Sequence, residues 1–376
     1  MALSFYVDPE FRNDIDSLFL CYNGGKQIKE RMIVAEKYIG YAGTYTRQSS
    51  KGIYRFVLDV EAGKLTNVEV AAKVGSPTYV AVSEDKQYLY SVAQQDKLGG
   101  VAAYRIKDGE LTFINEDLQE GAPPCHLEIH DDALVTGNYH KGTVSLYKTN
   151  EDGGVQPLAF EVQHEGTGPH QRQEKSHVHF TGYTPDKKYF VVADLGIDEV
   201  VTYKVVGDKL EKVSTLKVKA GSGPRHLTFH PNGKIAYLLT ELSSEVVVLD
   251  YDAKTGVFTE KQYIRAIPED FNETNDASAI HISKDGRFVY TGNRGHNSIA
   301  VFSVDEASGE LTFIEHTPSG GEWPRDFVLD PSGAFLVASN QHTGNLVLFA
   351  RDQETGKLTK LDSEVEVPEV VCVKFL

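Results

Sequence analysis

The residues of this chain best suited to chemistry are two arginines, a glutamate and a histidine. Arg225 stands in GPRHLTF, Glu241 ends the apolar run KIAYLLTE, Arg294 lies in YTGNRGHNS, and His177 opens the pair His177 and His179 in KSHVHF. Guanidinium groups offer planar, bidentate donors to a carboxylate, a phosphate or a developing oxyanion. A carboxylate or an imidazole beside them can take a proton from water. Partial burial behind so apolar a run is expected to raise the pKa of Glu241 and make it a usable base. The alternative assignment for Glu241 is a plain ion partner of Arg225. Two histidines at i and i+2 share one side of a strand, yet a metal would need a third ligand that no spacing supplies. No metal and no cofactor are therefore expected. Cys125 reads as a buried or half-buried thiol with nothing to lower its pKa.

The elements that must position these residues recur along the chain. An apolar strand, a Pro/Asp/Asn-Gly turn and a second apolar strand appear at 76–92, 124–138, 176–194, 224–241, 278–293 and 324–340. Aligned on Pro224, the copies start at 77, 124, 175, 224, 277 and 324, a spacing of 47 to 53 residues. The chain's two ends supply one more copy, PEVVCVKFL at 368–376 as its first strand and KYIGYAGTY at 37–45 as its second. A separate series of hairpin turns, including EAGKLT, KDGELT, EASGELT and ETGKLT, has the same seven-fold count. Seven units of four short antiparallel strands predict an all-β, seven-bladed β-propeller closed by its N- and C-terminal strands. The propeller domain is expected over 32–376. Residues 1–31 lie outside the repeat as either an accessory segment or an upstream-start artefact. The second is preferred, because Met32 is the only internal methionine.

This topology places the start of each first strand and the end of each second strand on one face, near the axis. Arg225 and Glu241 lie about equally far from the turn at Asn232 and must meet there. The same rim collects His126 with Asn138, His177 with Asp194, Asn293 with Arg294, and Arg325 with Asn340. His177 is expected to point into the channel, whereas His179, His170, His226 and Tyr237 read as structural. Two longer segments, TGPHQRQEK (167–175) and IPEDFNETND (267–276), also overlie this rim. Long loops on one face are where propellers bind ligands. With Arg172 and Arg325 added, the arginines form a cluster suited to an anion, against the alternative of bridges between blades to Asp194 and Glu241.

Charge bounds the partners. The net charge of −16 argues against nucleic acid and an anionic membrane surface. No run of 18 apolar residues is present. Cys21, Cys125 and Cys372 make no disulfide framework, and no basic and apolar leader is visible. A cytoplasmic location and a monomer or weak homo-oligomer are expected. The nucleophile elbow, P-loop, H-E-x-x-H, EF-hand and W-D signatures are all missing.

Over residues 37–376 the chain resembles the lactonase family of seven-bladed propellers, which includes bacterial 6-phosphogluconolactonases and shares its fold with fungal carboxy-cis,cis-muconate cyclase. The resemblance rests on YIGYAGTYT, RQEKSHVHF, VVADLGIDEVVTYK, GPRHLTFHPNGKIAYLLTEL and YTGNRGHNSIAVF. One departure is KSHVHF, where the family often has proline between the histidines. The resemblance implies hydrolysis of 6-phospho-D-glucono-1,5-lactone in the pentose phosphate route. Its catalytic quartet falls on His177, Arg225, Glu241 and Arg294. Gln173, Asp194, His126, Asn138, Asn293, Arg325 and Asn340 are the expected substrate contacts. On this reading His177 or Glu241 activates water, while Arg225 and Arg294 hold phosphate or the oxyanion. Two alternatives stand beside it, a lactonase or lactonising cyclase for another carboxylated ring, and a non-catalytic binding platform.

Overall fold

The computed structural model describes residues 20–23, 26–29 and 36–376. The question of how residues 1–31 belong to the protein lies, for most of that segment, outside the described residues. Leu20–Asn23 pairs with Lys26–Lys29 as a two-stranded sheet. All other described strands fall into seven four-stranded antiparallel sheets, with no helix among the described residues.

Blade 1 is built from both ends of the chain. Its innermost strand is Val370–Phe375, which pairs with Lys37–Thr44, followed outward by Gly52–Asp59 and Lys64–Lys73. Blades 2 to 7 follow in sequence, their first strands being Val80–Val82, His126–His130, Val178–Tyr183, Pro224–Phe229, Asp276–Ile282 and Pro324–Leu329. These first strands pack side by side around the axis, and that of blade 7 meets Val370–Phe375 to close the ring. The architecture is therefore the expected β-propeller.

The core is not one mass but a set of interfaces. Each pair of neighbouring blades shares its own apolar cluster, such as Tyr237, Val248, Ile280 and Phe302 between blades 5 and 6. The hairpin turns legible in the sequence also latch one blade to the next. Tyr41, Tyr237 and Tyr290 donate hydroxyl hydrogen bonds to the carbonyls of Gly109, Gly309 and Gly356 at 2.9, 2.9 and 2.8 Å. Those glycines sit at φ of 80, 74 and 74°, a left-handed conformation that suits residues without Cβ. Tyr237 is thus structural, as expected.

One register departs from the sequence alignment. Val178 lies opposite Asp194 just as Pro224 lies opposite Thr240 and Pro324 opposite Asn340. The fourth unit therefore starts at Val178, three residues later than the alignment at 175. The longer loop before it absorbed the difference.

Candidate active site

At the expected face a cavity of about 410 Å³ opens on the axis, lined among others by Tyr139, Arg172, His179, Glu241, Arg294 and Arg325. A β-bulge at the same place in three blades aims residues toward it. In blade 4 the ladder passes from Val178 to Phe180, leaving out His179. In blades 5 and 7 it leaves out Arg225 and Arg325. A bulged residue leaves the pleat, so its side chain turns to a new direction. His179, not His177, is thus the histidine equivalent in place to Arg225 and Arg325.

Glu241 is the hub. Its Oε2 accepts from Arg225 Nε at 2.8 Å and lies 2.7 Å from Arg294 Nη2, and its Oε1 accepts from Arg172 Nη2. Arg172 also bonds Asp276 at 2.9 Å, so the two long segments over the rim meet in an ion pair. Arg294 donates to the carbonyls of Asp276 and Ala277, both at 3.0 Å, and Arg225 to that of Ser278. Arg225 is 2% exposed and lies beneath the cavity rather than on its wall. Burial pushes the Glu241 carboxyl up, but the charges of Arg294, Arg225 and Arg172 outweigh it and hold the pKa well below the usual carboxylate range. The expectation of a raised, basic Glu241 is corrected. The apolar strand behind it is real, but three guanidiniums converge in front.

Two imidazoles line the cavity, His140 and His179, and His179 is the one placed by the bulge beside the arginines. Burial, then the charge of Arg225, hold its pKa well below the ordinary value, so it is neutral at pH 7. Its Nδ1 is buried and has no hydrogen-bond partner among the described residues. His177 does not point into the channel. It stacks on Tyr139 at 4.2 Å, with Nδ1 on the Tyr139 carbonyl at 2.8 Å and Nε2 3.1 Å from Glu174. It stands one layer back, positioning Tyr139. Cys125 lines the cavity as a thiol pushed by burial up to about 11, consistent with an unreactive role.

Of the other expected contacts, only Arg325 reaches the cavity. Asp194 accepts from Ser176 Oγ, the amides of His177 and Gly196, and His164 Nδ1, at 2.6 to 3.0 Å. Gln173 donates to the Leu195 carbonyl and Asp198, each at 2.8 Å. Asn138, Asn293 and Asn340 donate to the loop carbonyls of Ala122, Ala266 and Ser319. These polar residues at second-strand ends tie loops together. In three blades the residue that follows lines the cavity, Tyr139 after Asn138, Glu241 after Thr240 and Arg294 after Asn293. The rim reading had Glu241 and Arg294 in place, and at Asn138 it was one residue early.

His126 also lies below the rim. Its ring is 3.9 Å from Tyr79, 4.7 Å from Phe180 and 5.3 Å from His226. Lys374, 4.8 Å from the Tyr79 ring, and Asp326, 3.4 Å from His281, complete a layer with one contribution from each blade. Burial lowers the pKa of both His126 and His226. This layer floors the cavity and separates it from a second chamber of about 270 Å³. A wall of buried groups strengthens electrostatic interactions above it.

Tyr45, Arg47, Tyr139 and His140 are among the wall residues that sequence reasoning missed. Tyr45 and Tyr139 were detectable as the residues just after Thr44 and Asn138. Arg47 lies in the connection 45–51 between second and third strands, which is longer than its counterparts 139–142, 195–198 and 241–244.

Fold and site together define a lactone hydrolase of propeller architecture. Residues 39–375 match the family described as "Lactonase, 7-bladed beta-propeller", and the chain belongs to that family. Among its relatives is the 6-phosphogluconolactonase of Bacillus subtilis, 52% identical over 344 residues, covering 90% of this chain and 99% of the relative. A solved protein of Lactobacillus plantarum is 43% identical with a TM-score of 0.88, covering 91% of this chain and 100% of its own. The periplasmic gluconolactonase of Pseudomonas aeruginosa is 31% identical with a TM-score of 0.86, covering 91% and 99% respectively.

Proposed function

We propose that the protein hydrolyses 6-phospho-D-glucono-1,5-lactone to 6-phosphogluconate, in the cytoplasm and in the oxidative pentose phosphate route. The observation that carries this reading is a neutral imidazole, His179, facing a carboxylate that pins three guanidiniums. A δ-lactone is an activated ester, so a positioned water, a base and an oxyanion partner suffice. His179 takes a proton from the attacking water and returns it to the ring oxygen as the C1–O bond breaks. Arg294 and Arg172, on the wall, stabilise the oxyanion at the former carbonyl. Arg225 acts through Glu241 as a positioning residue. Base catalysis of this kind contributes roughly 10²–10⁴-fold and an oxyanion donor roughly 10²–10³-fold.

The name of the Pseudomonas relative supports a second reading, in which the lactone lacks phosphate. Rates on phosphorylated and unphosphorylated gluconolactone, corrected for spontaneous opening, decide between them. A higher kcat/KM on the phosphorylated lactone supports the proposal. Turnover of the unphosphorylated ring alone, or of neither, removes it.

A further inference from the structure

Five arginines line or underlie the cavity, and they fall into two sets. Arg172, Arg225 and Arg294 are each paired with Glu241, and Arg172 also with Asp276. Arg225 and Arg294 also donate to main-chain carbonyls. Several of their donors are engaged in this network before any ligand arrives. Arg47 and Arg325 are different. Among the described residues, neither has a carboxylate within ion-pair distance, and the sole side-chain bond of Arg325 is a long one to Gln341 Oε1 at 3.4 Å.

Both guanidiniums nevertheless come to one spot. Arg47 lies 4.0 Å and Arg325 5.5 Å from the centre of the Tyr45 ring, and all three residues line the cavity. The loop bearing Arg47 is held in place. Glu369 accepts from the amides of Arg47 and Gln48, each at 3.0 Å, and of Ser50 at 3.3 Å. That carboxylate is occupied by main-chain donors, which fixes the loop without neutralising its arginine. Two like charges gathered around one aromatic ring, in a chain of net charge −16, repel each other, and an anion bound between them relieves that repulsion.

We propose that Arg47 and Arg325, set against Tyr45, form a phosphate-monoester subsite at one end of the cavity. It rests on the reading of a sugar-phosphate lactone substrate, and it assigns the phosphate away from Arg225 and Arg294. The lactone ring then lies toward His179 and Arg294, and the dianion toward Tyr45. The pair discriminates phosphorylated from unphosphorylated rings. Charge-assisted hydrogen bonds of this type are worth about tenfold to a hundredfold in affinity per arginine.

The test is the ratio of kcat/KM for phosphorylated over unphosphorylated gluconolactone in wild type, Arg47→Gln, Arg325→Gln and the double variant. The ratio is expected to fall at least tenfold in each single variant and further in the double. An unchanged ratio, with both substrates losing rate together, overturns the subsite. Calorimetric binding of 6-phosphogluconate against gluconate separates this from failure of the activity itself. If wild type turns over neither lactone yet prefers the phosphorylated acid, and the double variant loses that preference, the subsite stands while the reaction does not. Equal binding of both acids by wild type, or a preference that survives in the double variant, refutes it. Unchanged thermal unfolding of the single variants confirms that folding is intact.

Discussion

Replacing Glu241 by Gln probes the hub while keeping its shape. In the wild type the carboxylate meets Arg225 and Arg294, which are 2% and 4% exposed, and the more open Arg172. Removing one partner of a buried ion pair costs about 3–5 kcal/mol, because the other charge is left uncompensated. Arg172 adds little, since partly exposed pairs are worth roughly 0–1 kcal/mol. An unfolding free energy about 3–5 kcal/mol below wild type is therefore expected at pH 7. At about 2 °C per kcal/mol that is a fall in Tm of roughly 6–10 °C. Urea unfolding followed by tyrosine and tryptophan fluorescence measures it. The pH dependence has a fixed sign. The folded pKa of Glu241 is depressed, so its stabilisation is present above the unfolded value near 4.3 and is lost as pH falls through the folded value. Wild type should therefore lose stability relative to E241Q by about 1.4 kcal/mol per pH unit below roughly pH 4.3. A variant within 1 kcal/mol of wild type at pH 7, or a gap that does not narrow in acid, would refute the charge network as described.

Other outcomes follow from the same geometry. His179→Ala should lower kcat by roughly 10²–10⁴-fold, while His177→Ala, one layer back, should cost far less; equal losses would count against His179 as the base. Because the pKa of His179 is held well below 6.5, kcat/KM should stay level from pH 7 down to that value and decline only below it. A midpoint near pH 7 in the rate profile contradicts this. Asp194→Ala strands the amides of His177 and Gly196, each at about 1–3 kcal/mol. The urea midpoint should drop strongly with Asp194→Ala and less with Asp194→Asn; no difference between them argues against the carboxylate as the loop's anchor.

The seven-fold count and the closing strand could be read from the sequence because turn chemistry recurs at a constant interval. Pro231-Asn232-Gly233 and Lys284-Asp285-Gly286 mark the same reversal in different blades. The face of the site could be read too, since strand direction alone decides which ends meet. What could not be read was side-chain direction at those ends. A bulge adds a residue without changing the apolar pattern, so His177 and His179 look interchangeable until the ladder skips His179. At the second-strand end of blade 3 the polar Asn138 is the loop anchor, and its neighbour Tyr139 faces the axis. The ionisation of Glu241 was misjudged for a related reason. Its apolar strand is adjacent in sequence, whereas Arg172 and Arg294 arrive from segments 69 and 53 residues away.

The closing strand has a consequence for biosynthesis. Val370–Phe375 is the last strand of the ring in chain order, yet it occupies the innermost position of its blade. It carries Lys374 into the floor beneath the cavity, and Glu369 just before it anchors the loop of Arg47. A nascent chain still lacking this strand has neither the Lys374 contribution to that floor nor the tether, whatever the state of its other blades. A prematurely terminated product therefore lacks part of its reaction chamber as well as a structural edge, and assembly of the ring and acquisition of a working site occur in one step.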